Sequence, residues 1–348
     1  MRLSPIARGT LLAVVAAAAF GATTPVVSAA AKVASPFTVA ALLYAGAAGG
    51  AWILRRRAPS GDPPLRRSNA PRVAVVALLG ACVAPIALGW GLARTGATTG
   101  ALLLNLEAVF TVLLARVVYR EPIGRRVALA LAATTAAGTA LALHEGASLA
   151  GGALGVMAIA VATLAWAADN TLMRRLADVQ PLAVVVAKGA LGASASILLA
   201  LVTGARWPPM PLTLAVLAAG VLGYGASLLL YLRAQRILGA GRTGSLFAIA
   251  PFVGAVIAAI VEGKAPTGTH ALAALLFGAA VVLHATERHA HEHRHAREEH
   301  EHAHRHDDGH HDHVHEPAFV GEHSHPHSHV PLDHEHEHTQ DLHHEHAH

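Results

Sequence analysis

The chain of 348 residues is apolar and sparsely charged: 53% of its residues are hydrophobic and 14% are charged. This composition excludes an ordinary soluble domain, and the single cysteine, Cys82, excludes an intramolecular disulfide. The net charge of +4 combines a basic body and an acidic tail: residues 1–286 carry 22 Lys or Arg against 7 Asp or Glu, and residues 287–348 carry 4 against 15. A basic surplus spread over an apolar body does not indicate nucleic-acid binding, so no nucleic-acid partner is predicted.

Apolar runs long enough to cross a bilayer as helices recur ten times along the body, since about 20 residues suffice. They lie near residues 9–31, 36–54, 73–93, 96–118, 126–144, 152–173, 181–203, 212–232, 243–262 and 268–285. They lack the alternation of a membrane β-strand, and they are rich in Gly and Ala, which permit close helix contact in lipid. The predicted fold class is an all-α membrane protein with ten transmembrane helices, whose surroundings are the lipid bilayer.

Basic residues in the loops predict the orientation of the chain. Seventeen of them fall in alternate loops, whereas the opposite loops hold only Lys32, Arg94, Arg206 and Lys264. Lys and Arg are retained on the cytoplasmic side of a membrane. Both termini are therefore predicted to lie in the cytoplasm, with the protein in a plasma membrane of the bacterial inner-membrane type.

Residues 1–31 also allow a second interpretation, a secretory signal peptide. Arg2 and Arg8 precede an apolar core, and small residues follow at positions 28–31. The apolar stretch is longer than a usual signal core and carries Gly21 and Pro25 within it. Cleavage would leave nine spans, whereas the internal duplication requires ten, so the ten-span interpretation is preferred.

The body contains an internal duplication. A shift of 143 residues places Gly96-Ala97 on Gly239-Ala240 and Ala115 on Ala258, and both copies then reach a polar corner. The predicted repeats are residues 1–144 and 145–286, with five spans each. Because five is odd, the two copies must insert with opposite orientation, which is the arrangement of many secondary transporters.

Three stretches of the body resemble a known family, the EamA type of the drug/metabolite transporter superfamily. They read GATTGALLLNLEAVFTVLLARVVYRE (96–121), LAWAADNTLMRRL (164–176) and GYGASLLLYLRAQRILGAGRTGSLFAIAPFVGA (223–255). The resemblance covers residues 8–286 and implies a transporter rather than an enzyme, with two inverted five-helix repeats and a small-molecule substrate. It does not specify the substrate, since this family handles amino acids, nucleosides, sugars and other metabolites.

One departure from the family pattern lies at the end of the second repeat. Such repeats usually end in Gly-Glu, whereas this chain reads Gly263-Lys264 and carries its acid at Glu262. The role of that acid is therefore left open. The tail, residues 287–348, lies outside the family pattern altogether.

Polar and ionisable side chains within a membrane span are costly, so each is a candidate for function. Glu107 lies near the middle of the fourth predicted span and is interpreted as a protonatable group or cation contact. A protonated glutamate that bonds a neighbouring helix is the structural alternative. Asp169 and Lys188 lie at depths that allow an ion pair, and Asn170 adjoins them. That pair either locks two helices or takes part in transport.

The eighth predicted span carries a polar stripe. Gly220, Tyr224, Ser227, Tyr231 and Gln235 all fall on one helical face, and that face lines either a cavity or a helix contact. Interruptions are predicted where prolines stand within spans, since proline frees backbone carbonyls. The predicted substrate and coupling-ion pathway consists of Thr24, Asn105, Glu107, Asp169, Asn170, Lys188, Tyr224, Ser227 and Tyr231.

The tail is a histidine-rich segment. Of the 26 histidines, all but His144, His270 and His284 lie in it. Neutral imidazole binds zinc, nickel, cobalt and copper, and the interspersed acids can complete a coordination shell. The tail is therefore predicted to bind labile divalent metal ions. No cofactor is predicted to be required by the protein. The predicted ligands follow His-x-His spacing: His289, His291, His293, His295, His300, His302, His304, His306, His323, His325, His327, His329, His334, His336 and His338.

The tail's composition also predicts disorder in the absence of metal. Its metal binding has several interpretations: a buffer or sensor that modulates transport, delivery of a transported ion, a response to pH, or no bearing on transport.

The function predicted from the sequence is a secondary transporter of small metabolites, working by alternating access, whose tail binds divalent metals. A carrier of divalent transition metals is one alternative, and a non-transporting membrane anchor for a metal-buffering tail is another. The sequence has no nucleotide-binding loop of the Gly-x-x-x-x-Gly-Lys-Ser/Thr kind, so ATP is not expected to drive it. A homodimer is compatible with this architecture, and the oligomeric state is left open.

Overall fold

The structure is a computed structural model. It describes residues 5–57, 63–118, 124–146, 151–173, 176, 179–238, 240–263 and 265–285 of the body, together with four six-residue segments of the tail. The predicted metal ligands His295, His306 and His329 lie outside the described residues.

The described body is all-helical. The helices of the first half are α1 (Pro5–Gly21), α2 (Thr24–Val33), α3 (Pro36–Arg57), α4 (Ala70–Leu78), α5 (Ala84–Thr95), α6 (Ala97–Leu103), α7 (Leu106–Val118) and α8 (Arg125–Gly146). Those of the second half are α9 (Gly151–Met173), α10 (Pro181–Val202), α11 (Met210–Ala219), α12 (Ser227–Leu238), α13 (Ala240–Phe247), α14 (Ala250–Glu262) and α15 (Gly268–Ala285). The all-α fold class is confirmed, and helix occupies each of the ten predicted spans.

The number of membrane crossings stays a prediction. Among the described residues, seven continuous segments are long and apolar enough to cross a membrane: Ile6–Val33, Pro36–Arg57, Arg67–Thr95, Ala97–Val118, Gly152–Met173, Pro181–Val202 and Met210–Leu238. Two shorter apolar helices, Ala250–Glu262 and Gly268–Leu283, accompany them.

Helices are interrupted just before three prolines that stand within predicted spans. Pro25 follows the break between α1 and α2, and Pro251 follows the break between α13 and α14. Pro85 follows a π-helical segment, Leu79–Val83, that joins α4 to α5. A second π-helical segment, Gly220–Ala226, joins α11 to α12. It falls at the equivalent position of the other repeat, since Gly80 and Gly223 differ by the same 143 residues as the duplication.

The packing of the helices follows the two-repeat pattern. Among the described residues, α3 packs along α10, and α8 packs along α15. In the two repeats, α5 corresponds to α12 and α9 corresponds to α1. The contact between α5 and α9 therefore has a symmetric counterpart between α12 and α1, and both contacts are present. Since α7 corresponds to α14, the contact between α7 and α9 likewise has its counterpart between α14 and α1, again both present. Two repeats inserted in opposite orientation give this pattern.

Glycine allows α3 to contact the eighth span through its backbone. A Cβ atom added to Gly46 would lie 2.2 Å from the carbonyl oxygen of Leu217, and one added to Gly220 would lie 2.1 Å from that of Leu43. No side chain fits at either position without displacing a helix. The small residues of the sequence therefore bring the two repeats into backbone contact in the centre of the bundle.

The tail contains four described strands, β1 (His289–Arg294), β2 (Glu299–His304), β3 (His323–Ser328) and β4 (Asp333–His338). β1 pairs antiparallel with β4, and β2 with β3, in registers that place histidine opposite histidine. A two-stranded ribbon by itself is at most marginally stable in water. The prediction that the tail is disordered without metal therefore stays a prediction.

The close approach of α3 predicts a sharp difference between two of its glycines. Gly46→Ala should destabilise the protein by about 1–3 kcal/mol, because the added methyl group meets backbone and the helices must separate. Gly49→Ala is the matched control, since a Cβ atom at Gly49 meets nothing within 4 Å. Thermal unfolding of both variants in detergent would measure the difference. Equal melting temperatures would contradict the packing described.

Candidate functional site

A cluster of charged and polar side chains lies between α7, α9 and α10. Lys188 of α10 donates a hydrogen bond to Oδ2 of Asp169 in α9, and both side chains are buried. One residue along α9, Asn170 donates from Nδ2 to Oε1 of Glu107 in α7 at 2.7 Å. Glu107 is near enough to Asp169 and Lys188 to interact electrostatically with both. The structure therefore brings together the four ionisable and amide groups that the sequence singles out in spans four, six and seven. We call these four side chains the charged cluster.

The ion pair is held against a glycine of the third span. A Cβ atom on Gly80 would lie 2.0 Å from Oδ2 of Asp169 and 2.9 Å from Nζ of Lys188, so only glycine fits beside the pair. The carbonyl oxygen of Gly80 accepts hydrogen bonds from the hydroxyl of Tyr44 and, at 3.0 Å, from the indole nitrogen of Trp166. A π-helical segment leaves carbonyl groups free for such partners, and these segments are frequent at functional sites.

The second carboxylate oxygen of Asp169 is unsatisfied. Oδ1 is buried and has no hydrogen-bond partner among the described residues. A buried acceptor without a donor is costly, and more so when it carries charge. The cluster therefore holds two carboxylates and one ammonium group, with an open acceptor position on one carboxylate.

Aromatic rings adjoin the charged cluster. Phe20 contacts Trp166, Tyr224 and Phe247, with ring centroids 5.4–5.7 Å apart. Tyr44 packs edge-on against Tyr224 at 5.4 Å, and Tyr231 packs edge-on against Phe247 at 5.1 Å. These six side chains form one continuous group, which we call the aromatic cluster.

The other predicted pathway residues lie outside the charged cluster. Thr24 is buried where α2 begins and packs against α14 at Gly254. Asn105 is buried at the break between α6 and α7, and its side chain donates to the carbonyl of Leu102 at 3.0 Å. Ser227 donates to the carbonyl of Ala16 in α1 at 2.8 Å. Thr24 and Ser227 thus contact neighbouring helices, whereas Asn105 bonds within its own span, and a role in transport stays a prediction for all three.

The polar stripe of the eighth span faces inward, as predicted. Gly220, Tyr224, Ser227 and Gln235 are buried, and Tyr231 is half-buried. Gly220 contacts the backbone of α3, Ser227 bonds α1, and both tyrosines belong to the aromatic cluster. The stripe therefore combines helix contact with a lining of the centre, where the sequence left the two as alternatives.

A second polar site lies at one end of the bundle, where α2, α6, α14 and α15 meet. Oε1 of Glu262 accepts a hydrogen bond from the backbone nitrogen of Ala97 at 3.2 Å and lies 3.9 Å from Nζ of Lys32. His270 contacts the hydroxyl of Thr99 through Nε2 at 3.0 Å and that of Thr267 through Nδ1 at 2.6 Å. A cavity of about 260 Å³ is bordered by Lys32, Thr99, Glu262, Thr267 and His270. We call this the Glu262 end.

Sequence reasoning missed most of the aromatic cluster and the role of Glu262. Phe20 and Tyr44 lie in apolar runs, where an aromatic residue gives no signal of its own. Gly80 contributes a backbone carbonyl, which no side-chain pattern reveals. Glu262 was left open because it is displaced from the usual position, and its contact with Ala97 connects residues 165 apart in sequence.

Among the described residues, no group of three or more His, Cys, Asp or Glu side chains is arranged to hold a metal ion. The strand registers of the tail give only the backbone pairing of its histidines. Metal binding by the tail stays a prediction.

Comparison with known proteins identifies the body of the chain. Residues 7–143 and 153–286 each match the EamA-like transporter family. An uncharacterized transporter of Methanothermobacter thermautotrophicus is 27% identical over 203 residues, which are 57% of this chain and 59% of that protein. The chain thus spans about three fifths of the length of this curated relative.

A solved crystal structure has the same fold. It superposes with a TM-score of 0.59 at 18% sequence identity, over 80% of this chain and 98% of that one. The two family matches together cover nearly the whole helical body. The chain belongs to the EamA-like transporter family, and its helical body is that of a multi-pass membrane protein.

Proposed function

We propose that the protein is a secondary transporter of small metabolites that works by alternating access around the charged cluster and the aromatic cluster. The observation that carries this proposal is the meeting of Glu107, Asp169, Asn170 and Lys188 between the two repeats. Charged groups in a membrane interior are costly and mark transport pathways. Rings and charges together suit a small organic molecule with apolar and polar parts.

Alternating access is supported by a difference between equivalent contacts of the two repeats. At the Glu262 end, α6 of the first repeat packs extensively against α14 of the second. Since α6 corresponds to α13 and α14 corresponds to α7, the symmetric counterpart of this contact would join α13 to α7. Among the described residues, α7 instead packs against α8 and α9, while α13 packs against α1, α12 and α15.

The exposure of side chains agrees with this difference. Glu107, Asn170, Tyr231 and Phe247 are half-buried, whereas α6 is almost wholly buried. The Glu262 end is therefore closed, and the half of the bundle built by α7 and α13 is more open. Reversal of these two contacts would expose the same central residues to the other side, as inverted repeats permit. With both termini in the cytoplasm of a bacterial-type cell, the described state faces inward.

Transport should be tested first in proteoliposomes. Radiolabelled amino acids and other small metabolites would be screened beside zinc, nickel and cobalt, and any substrate found would then be tested for stimulation by unlabelled substrate on the opposite side. A carrier with one alternately exposed site gives this stimulation. Flux without it would contradict alternating access, and flux of metal alone would favour the divalent-metal carrier.

Glu107→Gln should uncouple transport from protons. The amide keeps an oxygen acceptor for Asn170 but cannot release a proton, so folding is preserved while coupling is lost. Substrate uptake by the variant should no longer respond to an imposed pH gradient. Normal uptake across the pH range, with the wild-type response to the gradient, would show that Glu107 only joins α7 to α9.

The ion pair predicts different effects for single and double variants. Asp169→Asn leaves the Lys188 ammonium buried without a counter-charge and should destabilise the protein by roughly 3–5 kcal/mol. The double variant D169N/K188M removes both charges and should recover most of that loss, as thermal unfolding would show. If the double variant folds and transports normally, the pair is structural. If it folds and fails to transport, the pair belongs to the transport site.

Truncation after Arg288 separates the roles of the tail. We expect the truncated protein to retain metabolite flux, because the family fold ends before the tail, and to lose any response of that flux to added metal. Metal flux that collapses on truncation would instead support a delivery tail. A body that transports nothing in either form, while the intact tail binds metal, would support the membrane anchor.

A further inference from the structure

Arginines cover the end of the bundle that lies opposite the Glu262 end. α3 begins at Pro36, beside the α2 residues of the Glu262 end, and finishes there in Arg55, Arg56 and Arg57. Backbone contacts hold its neighbours at the same level: the backbone nitrogen of Gln180 donates to the carbonyl of Pro63 at 2.9 Å. Arg236, in the last turn of α12, donates to the carbonyl of Val179 at 3.1 Å. We call this surface the arginine end.

The exposed basic residues of this surface come from six segments of the chain. They are Arg8, Arg55, Arg56, Arg57, Arg66, Arg67, Arg116, Arg125, Arg126 and Arg233. Of the acids in the described body, Glu107 and Asp169 lie in the centre and Glu262 lies at the opposite end. In the links between the described segments of the body, the sequence contains three further acids, Asp62, Glu121 and Asp178. The arginine end therefore has a large positive surplus.

The tail leaves the body at this same surface. α15 begins at the Glu262 end, where His270 contacts Thr99. It continues for 18 residues to Ala285, a rise of about 27 Å. Residues 287–348 follow and carry 15 Asp or Glu against 4 Arg, with histidine neutral. An acidic segment is thus tethered beside a basic surface of the same chain.

We propose that the metal-free tail docks on the arginine end of its own body and that divalent metal releases it. Coulomb attraction between the opposite surpluses draws the tail to this surface, and the tether raises its effective concentration into the millimolar range. Each bound divalent ion adds two positive charges, so about six ions would cancel the tail's surplus of negative charge. Metal binding to the histidines thereby changes the net charge of the tail.

The tail of the same molecule is favoured over other acidic occupants because it is attached at the surface it would cover. Anionic lipid headgroups and the tail of a second copy offer the same chemistry without the tether. This proposal does not depend on transport, and it can hold or fail whatever the substrate is. It requires only that the tail binds metal, which calorimetry with zinc measures separately.

The test is a distance measurement on the full chain, with one molecule in each lipid nanodisc of neutral lipid. In a background of Cys82→Ala, spin labels would be placed at Ser68→Cys, on the arginine end, and at Ala347→Cys, near the end of the tail. Zinc is the probe because its filled d shell leaves the labels unperturbed. We expect a short-distance population without metal that declines as zinc saturates the tail, and that also declines in 1 M salt, where the screening length falls to about 3 Å.

Two pairs of arginines supply the matched control. The variant R55Q/R56Q removes two charges of the arginine end, one of which, Arg56, lies over the ring of Trp52 at 3.7 Å. The variant R94Q/R206Q removes two charges of the opposite end, where Arg94 lies over Trp90 at 3.4 Å. Removal of two surface charges should weaken docking by on the order of tenfold in the first variant and leave it unchanged in the second.

Several outcomes would overturn the proposal. A distance distribution that zinc and salt do not alter would show that the tail does not dock by charge. Equal effects of the two variants would show that the arginine end is not the surface concerned. If short distances are present in crowded vesicles but absent with one molecule per disc, the contact is made by the tail of a second copy. Loss of the short population when anionic lipid is added, with no effect of zinc, would assign the surface to lipid headgroups.

Discussion

A charge inside a lipid bilayer has no water to solvate it, and the ion pair of Asp169 and Lys188 is the interaction on which the centre of this protein depends. It joins α9 to α10 at one level of the bundle. It requires glycine at position 80, because any side chain there would occupy the position of the carboxylate. The bonds from Tyr44 and Trp166 to the carbonyl of Gly80 then fix the aromatic cluster relative to the pair. Charge pairing, backbone irregularity and aromatic packing thus form one unit.

The two ends of the bundle differ in their chemistry. The Glu262 end joins a carboxylate, an ammonium group and a backbone amide across the two repeats, so charge there binds helices together. The arginine end presents many exposed basic side chains outward. A protein with inverted repeats would have similar ends if its sequence were symmetric. The ends of this chain are dissimilar, although the third and eighth spans carry π-helical segments at equivalent positions.

Much of this fold could be predicted from the sequence, because lipid imposes simple rules on it. Apolar length gave the helices, and depth alone placed Asp169 opposite Lys188, since few charges are tolerated in a span. The bond between Asn170 and Glu107 could not be predicted, because it depends on how α7 turns after the break at Asn105. Tyr44 was invisible for another reason: its hydroxyl bonds a backbone carbonyl that only a π-helical segment releases. Sequence patterns report side chains well and irregular backbone poorly.

The glycine contacts of α3 also bear on how the bundle can move. Helices that pack by side-chain ridges in grooves must lift apart before they slide, because the ridges interlock. Where α3 meets the eighth span, at Gly46, Gly220 and Gly225, backbone faces backbone and few ridges stand in the way. Such a contact resists separation yet opposes translation along the helix axis only weakly. The two repeats can therefore slide past each other by small distances at this contact, because few side chains there oppose the displacement.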